Sequence, residues 1–266
     1  MGLADLHIHS IHSYDGTATI PAILKHTADN THLNVIAITD HDSMDGVNQA
    51  LDLAPAYGLE VIPGCEISSA DGHVLGLFLK NKVPAGLSLI ETLLLIGEQG
   101  GIAIAAHPEA RGTSSLKFDI IRQACNHPFA SKVLVGVEAF NGGLVYTRSN
   151  QTIAEQASRL PLAQVGNSDA HILQMIGQGA SFFPGNNIMD LRMALKQRQT
   201  WVAAYGNLHG AQVLTSYIPK YLLRIMGWAV WNENPTAPLK YARINKLTPR
   251  PSTHVGRLLH QMIYEY

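Results

Sequence analysis

Short apolar runs recur along the chain, and most neighbouring runs leave room for one helix between them. The runs are Leu3–His7, Val35–Thr39, Glu60–Pro63, His73–Phe78, Ile102–Ala106, Val133–Phe140 and Pro161–Val165. Each has the length and near-continuous apolar character of a strand buried on both faces, as in a parallel sheet. Ile20–Asn30 follows Thr19 and places Pro21 in its first turn, which is a good helix start. Gly46–Tyr57, Ser88–Gln99, Phe118–Cys125, Asn150–Arg159 and Asn187–Arg198 predict further helices, and Trp201–Tyr205 predicts a last strand.

Repeated strand–helix units predict an α/β fold with a parallel sheet and right-handed crossovers. Such a sheet either closes into a barrel or stays open and doubly wound. Polar residues lie at, or just after, the C-terminal ends of nearly every run. A barrel concentrates its chemistry at that face, so the barrel is the expected arrangement. After residue 206 the pattern breaks. Pro219, Pro235, Pro238, Pro249 and Pro251 alternate with Tyr217, Tyr221, Trp228, Trp231 and Tyr241. Two units are therefore expected: residues 1–206 as the barrel and 207–266 as a C-terminal appendage. Within the appendage, Tyr217–Val230 reads as a helix and Pro235–Pro251 as irregular. Thr253–Tyr264 reads as a final helix with Leu258, Leu259, Met262 and Ile263 on its apolar face.

The chain has 266 residues, 46% hydrophobic and 15% charged. That is enough chain for a large core, and nothing in it resembles a disordered or fibrous protein. No apolar stretch is long enough for a membrane-spanning helix. Met1-Gly2-Leu3-Ala4-Asp5 lacks the basic and apolar regions of a secretory signal, so a cytoplasmic location is expected. Cys65 and Cys125 do not make a disulfide framework, and Cys65 is expected to be a packing residue. Net charge is −1, unevenly spread. Tyr217–Tyr266 holds seven Lys/Arg against two Asp/Glu, a net +5, which leaves −6 on the first 216 residues. An acidic body suits cations, and a basic tail suits an anionic partner or simply a solvated face.

Thirteen histidines are many for this length, and their placement matters more than their number. In Asp5-Leu6-His7-Ile8-His9, residues two apart on a strand project together, which presents two imidazoles on one face. Leu6 and Ile8 are then expected in the opposite layer. Asp15 follows in the loop after that strand. Thr39-Asp40-His41-Asp42, Gly64-Cys65-Glu66, His73, Ala106-His107-Pro108 and Ser168-Asp169-Ala170-His171 each sit at a strand end. Any one of these is weak evidence. Together they put histidines and carboxylates at one mouth of the fold, and burying so many ionisable groups without metal would cost several kcal/mol each. Mixed imidazole and carboxylate donors suit Mn, Zn or Fe better than Ca or Mg. A bridging carboxylate such as Glu66 can hold two ions about 3.5–4 Å apart, acidify a water and stabilise a phosphoryl group under attack. Asp40 and Asp42 are candidates to orient ligand imidazoles, or to cap a helix beginning near Ser43. Glu138, at the end of a strand run, is a candidate support. Arg111 and Arg148 are the candidate contacts for an anionic substrate.

These motifs, in this order and over roughly residues 3–205, resemble the polymerase-and-histidinol-phosphatase family, the PHP domain. The resemblance implies a distorted (β/α)7 barrel, two or three divalent ions and hydrolysis of phosphate esters. It places His7, His9, Glu66 and Asp169 on one ion, Glu66, His73 and His107 on a second, and Asp15, His41 and His171 on a third. Glu66, Asp169 and His171 then form the catalytic core. The expected partner is a small phosphorylated substrate or a nucleotide. An acidic barrel argues against long nucleic acid. Two other readings are a nuclease or phosphodiesterase acting on nucleic acid ends, and a metal-binding module without turnover.

Overall fold

A computed structural model describes residues 1–110, 114–143, 150–205 and 210–244. Arg111, Arg148 and the expected helix Thr253–Tyr264 lie outside the described residues.

Nine strands form one sheet: β1 (Gly2–Ile8), β2 (Val35–Ile38), β3 (Glu60–Ser69), β4 (Gly72–Leu77), β5 (Ile102–Ala105), β6 (Leu134–Asn141), β7 (Ala163–Asn167), β8 (Gly179–Phe183) and β9 (Trp201–Ala204). Their order across the sheet is β7-β6-β5-β4-β3-β2-β1-β8-β9. The pairs β1–β2, β2–β3, β5–β6 and β6–β7 are parallel. The pairs β3–β4, β4–β5, β1–β8 and β8–β9 are antiparallel, which corrects the all-parallel expectation. The cause is local for β4. Only Ala70 and Asp71 separate the paired residues Ser69 and Gly72, and so short a link can join only antiparallel strands.

The two ends of the sheet meet, and the barrel is nearly closed. Ser181 on β8 donates its hydroxyl to the Gly166 carbonyl of β7 (2.9 Å) and accepts from the Gly166 N–H (3.0 Å). Glycine at 179 permits this approach, since a Cβ there would lie 2.1 Å from the Asn167 carbonyl oxygen.

The helices are α1 (Ile20–Asn30), α2 (Val47–Leu53), α3 (Leu89–Glu98), α4 (Phe118–Asn126), α5 (Asn150–Ala157), α6 (Ile188–Gln197) and α7 (Gly210–Ile225). Gly46–Tyr57 splits into α2 and a short 3-10 turn at Ala54–Tyr57, where Pro55 removes a donor that a continuing α-helix would use. The α3 start carries the expected signal: the Ser88 side chain accepts from the Glu91 N–H, and the Glu91 side chain accepts from the Ser88 N–H. Ile20, Ile23 and Leu24 of α1 pack on Leu3, Ile36 and Ile38. Leu89, Leu93, Ile96, Phe118 and Ile121 of α3 and α4 pack on Ile67, Val74, Ala103 and Val137. Leu191, Ala194 and Leu195 of α6 pack on Ala4, Leu6, Ile62 and Phe183. The Ile188 N–H donates to Glu60 (2.6 Å) at the start of β3, so α6 covers the end of the barrel where the parallel strands begin. The other end is left for chemistry.

The expected helix Tyr217–Val230 is corrected. The α7 helix ends at Ile225, and Gly227 takes a left-handed conformation (φ 84°). Trp228–Trp231 is then a strand, β10, antiparallel to β11 (Lys240–Arg243) within the stretch expected to be irregular. This segment packs on the barrel beside α1, with Val213, Tyr217 and Val230 in the same apolar cluster. Among the described residues no helix is long and apolar enough to cross a membrane.

Candidate metal centre

The expected pair on β1 is present, by a route simple alternation does not give. His7 and His9 are both buried in the cluster, but the β1–β2 pairing shifts between Asp5 and Ile8. Leu6 therefore joins the cluster under α6 and Ile8 the one under α1, and the two do not share a layer.

Glu66 lies beyond the parallel half of β3, and its carboxylate is the hub. Oε1 is 2.9 Å from His73 Nδ1 and 2.9 Å from His107 Nε2. Oε2 is 3.1 Å from His41 Nδ1, 3.2 Å from His7 Nε2 and 3.4 Å from His9 Nε2. Asp169 Oδ1 is 3.2 Å from His9 Nε2 and 3.3 Å from His7 Nε2. Asp15 Oδ2 is 3.1 Å from His171 Nε2 and 3.5 Å from His41 Nε2. All nine expected donors thus meet in one cluster. Cys65, the neighbour of Glu66, points away into the core, and burial pushes its thiol up.

Backbone pairing sets this geometry. The Ala170 N–H donates to the His7 carbonyl (3.1 Å) and the His9 N–H to the Ala170 carbonyl (2.9 Å), which docks the Asp169 segment on the end of β1. Asp169 (φ 52°) and His107 (φ 26°) are left-handed, a costly conformation for such residues and one that concentrates at functional sites.

Asp40 and Asp42 neither orient an imidazole nor cap a helix. Asp40 accepts from the Ser10 N–H (2.6 Å) and hydroxyl (2.7 Å), and Asp42 accepts from the Ser68 N–H (2.8 Å). The α2 helix starts only at Val47. The supporting role falls to Glu138, which accepts from His7 Nδ1–H (2.9 Å), the His107 N–H (2.7 Å), Asn141 Nδ2 (2.9 Å) and Asn167 Nδ2 (2.8 Å). His171 Nδ1–H donates to the Asp169 carbonyl (2.8 Å), which turns Nε2 toward Asp15. Tyr14, Ser115, Asn141 and Asn167 were not foreseen. Tyr14 stacks on His41 at 4.8 Å, and Ser115 Oγ is 3.1 Å from His107 Nδ1. His12, His26, His32 and His127 are not among the grouped donors. His209, His254 and His260 lie outside the described residues.

Burial alone would lower the histidines, but neighbouring carboxylates overcome it at three of them. Asp169, Glu66 and Glu138 hold His7 well above its ordinary value. Glu66 and Asp15 push His41 up to about 10, and Asp15 and Asp169 push His171 up to about 9. Burial, with His171 and His41 nearby, pushes His9 down to about 4, and burial lowers His73. Against the burial effect, the histidines beside them hold Asp15 and Glu66 well below the usual carboxylate range.

The donor set fits divalent ions. His7 Nε2, His9 Nδ1, His41 Nδ1, His73 Nδ1 and Glu66 Oε2 are buried without an aligned hydrogen bond, although Glu66 lies within 3.2 Å of three of these nitrogens, and a cation would satisfy them. Donor atoms within 4.8 Å of one another form four groups: His9, Asp15, His41 and His171; His7, His9 and Glu66; His7, His107 and Asp169; and His41, Glu66 and His73.

Residues 5–179, more than half of the chain, match the PHP domain family model. The chain is 35% identical over 147 residues to an uncharacterised protein of Methanocaldococcus jannaschii, covering 52% of this chain and 81% of that protein. It is 27% identical over 197 residues to a 5'-3' exoribonuclease of Haemophilus influenzae, covering 72% of this chain and 63% of that one. Among solved structures it resembles a two-domain Bacteroides vulgatus protein described as containing a PHP-like metal-dependent phosphoesterase. That likeness has a TM-score of 0.60 at 17% identity and covers 94% of this chain and 79% of the other. The buried histidine–carboxylate cluster at the open end of a nearly closed barrel and the family match agree, and the chain belongs to the PHP domain family of metal-dependent phosphoesterases.

Proposed function

We propose that this protein hydrolyses phosphate esters of a small phosphorylated metabolite or nucleotide, using two or three divalent ions held in the Glu66 cluster, with residues 1–206 as the catalytic barrel. The observation that carries the reading is Glu66 itself: one buried carboxylate within 3.4 Å of five imidazoles, flanked by Asp15 and Asp169. Its two oxygens face different histidines, the arrangement of a bridging ligand. His7, His9 and Asp169 complete one position around Glu66, and His73 and His107 a second. Asp15, His41 and His171 form the third. Ions so bound supply Lewis acidity toward phosphoryl oxygens and lower the pKa of water. Mn, Zn and Fe suit this donor set.

The chain's own residues do the positioning. Glu138 fixes the His7 ring through Nδ1–H and leaves Nε2 toward Glu66 and Asp169. His171 is the most open of the nine, with 22% of its side chain exposed, so substrate approaches on the side of Asp15 and His171. Arg111 and Arg148 remain the candidate phosphate contacts.

A second reading has specific support. The likeness to the exoribonuclease runs over 72% of this chain, which favours the 5' end of a nucleic acid as an alternative substrate. Phosphate release from p-nitrophenyl phosphate, histidinol phosphate, nucleoside 3',5'-bisphosphates and a 5'-phosphorylated oligonucleotide separates the two. Release from the small esters, lost in Glu66→Gln and in the His7→Ala, His9→Ala pair, supports the first. Salt-sensitive nucleotide release from the oligonucleotide alone supports the second. Ion binding without turnover of any member of the panel would sink both.

A further inference from the structure

The residues beyond the family match include a buried cation aimed at the loop that carries Asp15. Arg224, on the last turn of α7, is only 4% exposed. A buried guanidinium is costly unless its N–H groups are satisfied. Its Nε donates to the Gly16 carbonyl (2.8 Å), and one terminal nitrogen donates to the carbonyls of Ser13 (2.5 Å) and Ile11 (3.5 Å). Tyr217, two turns earlier on α7, donates its hydroxyl to the Asp15 carbonyl (3.3 Å), and its ring meets His171 edge to face at 6.3 Å. The Val230 N–H of β10 donates to the Thr17 carbonyl (3.3 Å), and the Thr19 N–H donates to the Val230 carbonyl (2.9 Å).

Within the segment 11–19 between β1 and α1, the Ile11 N–H donates to the Ala18 carbonyl (2.9 Å), the Ser13 N–H to the Ser10 carbonyl (3.0 Å) and the Ser13 hydroxyl to Asp15 Oδ1 (2.6 Å). The segment turns sharply at Gly16, where a Cβ would lie 2.0 Å from the Ser10 carbonyl oxygen. On its other side, Thr17 donates its N–H (3.2 Å) and hydroxyl (2.8 Å) to the His171 carbonyl. The loop therefore carries Asp15, grips the backbone of His171 and is itself held by α7 and β10. Its side chain closes the group of His9, Asp15, His41 and His171.

We propose that Arg224 and Tyr217 are positioning residues for the Asp15–His41–His171 position, so that the C-terminal segment sets its occupancy by a divalent ion. This rests on the metal reading above. The loop is pinned by its carbonyls, and the Asp15 carboxylate, whose Oδ1 accepts from the Ser13 hydroxyl (2.6 Å), turns Oδ2 to the two imidazoles. Without the guanidinium, the carbonyls of residues 11, 13 and 16 would turn toward water and Asp15 would lose its fixed bearing.

The test is titration of full-length, metal-stripped protein with Mn2+. Free Mn2+ is counted by its six-line electron paramagnetic resonance signal, and circular dichroism checks the fold. Asp15→Asn shows what loss of this position alone looks like. Arg224→Met is expected to weaken the same single ion about 10–100-fold, the range for residues that orient ligands, and to leave the others unchanged. Tyr217→Phe, which removes one hydroxyl, weakens it less, and Arg224→Lys recovers part of the loss. A merely structural role would lower the melting temperature without singling out one ion. Wild-type titration of folded Arg224→Met, or equal weakening of every ion, overturns the proposal. If Arg224→Met does not fold, Tyr217→Phe decides, and its unchanged titration overturns it. A wild type that takes up no Mn2+ overturns the metal reading and this inference with it.

Discussion

Titrating metal back into the stripped protein should expel protons, and the centre indicates how many. Glu66, Asp15, Asp169 and Glu138 hold His7, His41 and His171 protonated at neutral pH, with His41 at about 10 and His171 at about 9. His9, at about 4, and His73, lowered by burial, are already neutral. An ion needs the imidazole lone pair, so each protonated ligand must release its proton on binding. At pH 7 His7, His41 and His171 should therefore account for up to three protons released per chain. Each contributes a factor of about ten in apparent affinity per pH unit, until the pH passes the histidine's own pKa. Isothermal titration of Mn2+ in two buffers of different ionisation enthalpy reads the number directly. The same groups set the stability of the metal-free protein. Their folded pKa values lie above the unfolded 6.5, so their contribution is complete below about pH 6.5 and disappears as pH rises through about 9–10. The melting temperature of stripped protein should fall across that window, while that of loaded protein should not. Identical heats in both buffers, with an affinity flat from pH 6 to 9, would refute the reasoning.

Two further substitutions test the support and the scaffold separately. Glu138→Gln keeps the shape but turns an amide toward donors that now meet four acceptor contacts; metal affinity should drop about 10–100-fold in competition with a chelating dye, and a change under about twofold counts against the role. Phe118→Ala empties a site 1% exposed between α4 and the sheet, and urea unfolding should show a loss of about 3–5 kcal/mol with the number of bound ions unchanged. A loss under about 1 kcal/mol would mean that the cluster around Phe118 is not packed as described.

What could be read in the sequence followed local pattern. The strand runs fell within two or three residues of β1, β2, β5, β6 and β7, since buried parallel strands announce themselves by apolar length. All nine candidate ligands converge because they lie on or just after strands, with Asp15 in the loop after β1, and the barrel brings these positions together. The direction of β4 depended on a two-residue link at Ala70-Asp71 that carries no strong turn signal, and β8 is a five-residue strand with no periodicity to read. Asp40 was a candidate to orient an imidazole, yet it lies past the end of β2 and its carboxylate meets Ser10 instead. Glu138 is readable as a support from its place at the end of a strand run, whereas Asn141 acts through contacts set by tertiary structure alone. Arg224 and Gly16 are 208 residues apart, and nothing in either neighbourhood announces the other.

The arrangement of charge explains how so polar a centre is compatible with folding. Four buried carboxylates would repel one another and resist desolvation if left alone. The protonated imidazoles of His7, His41 and His171 offset most of that charge, and His9 and His73, with lowered pKa values, add none. The chain can thus assemble the cluster as mutual ion pairs, with Glu66 at their centre, before any ion arrives. Incoming cations replace protons rather than fill an uncompensated anionic hole. The strained backbones of His107 and Asp169 are then held by the fold itself: Glu138 grips the His107 N–H, and β1 pairs on both sides of Ala170. On this account the metal-free protein keeps the ligand geometry, and binding changes the protonation of the centre far more than its shape.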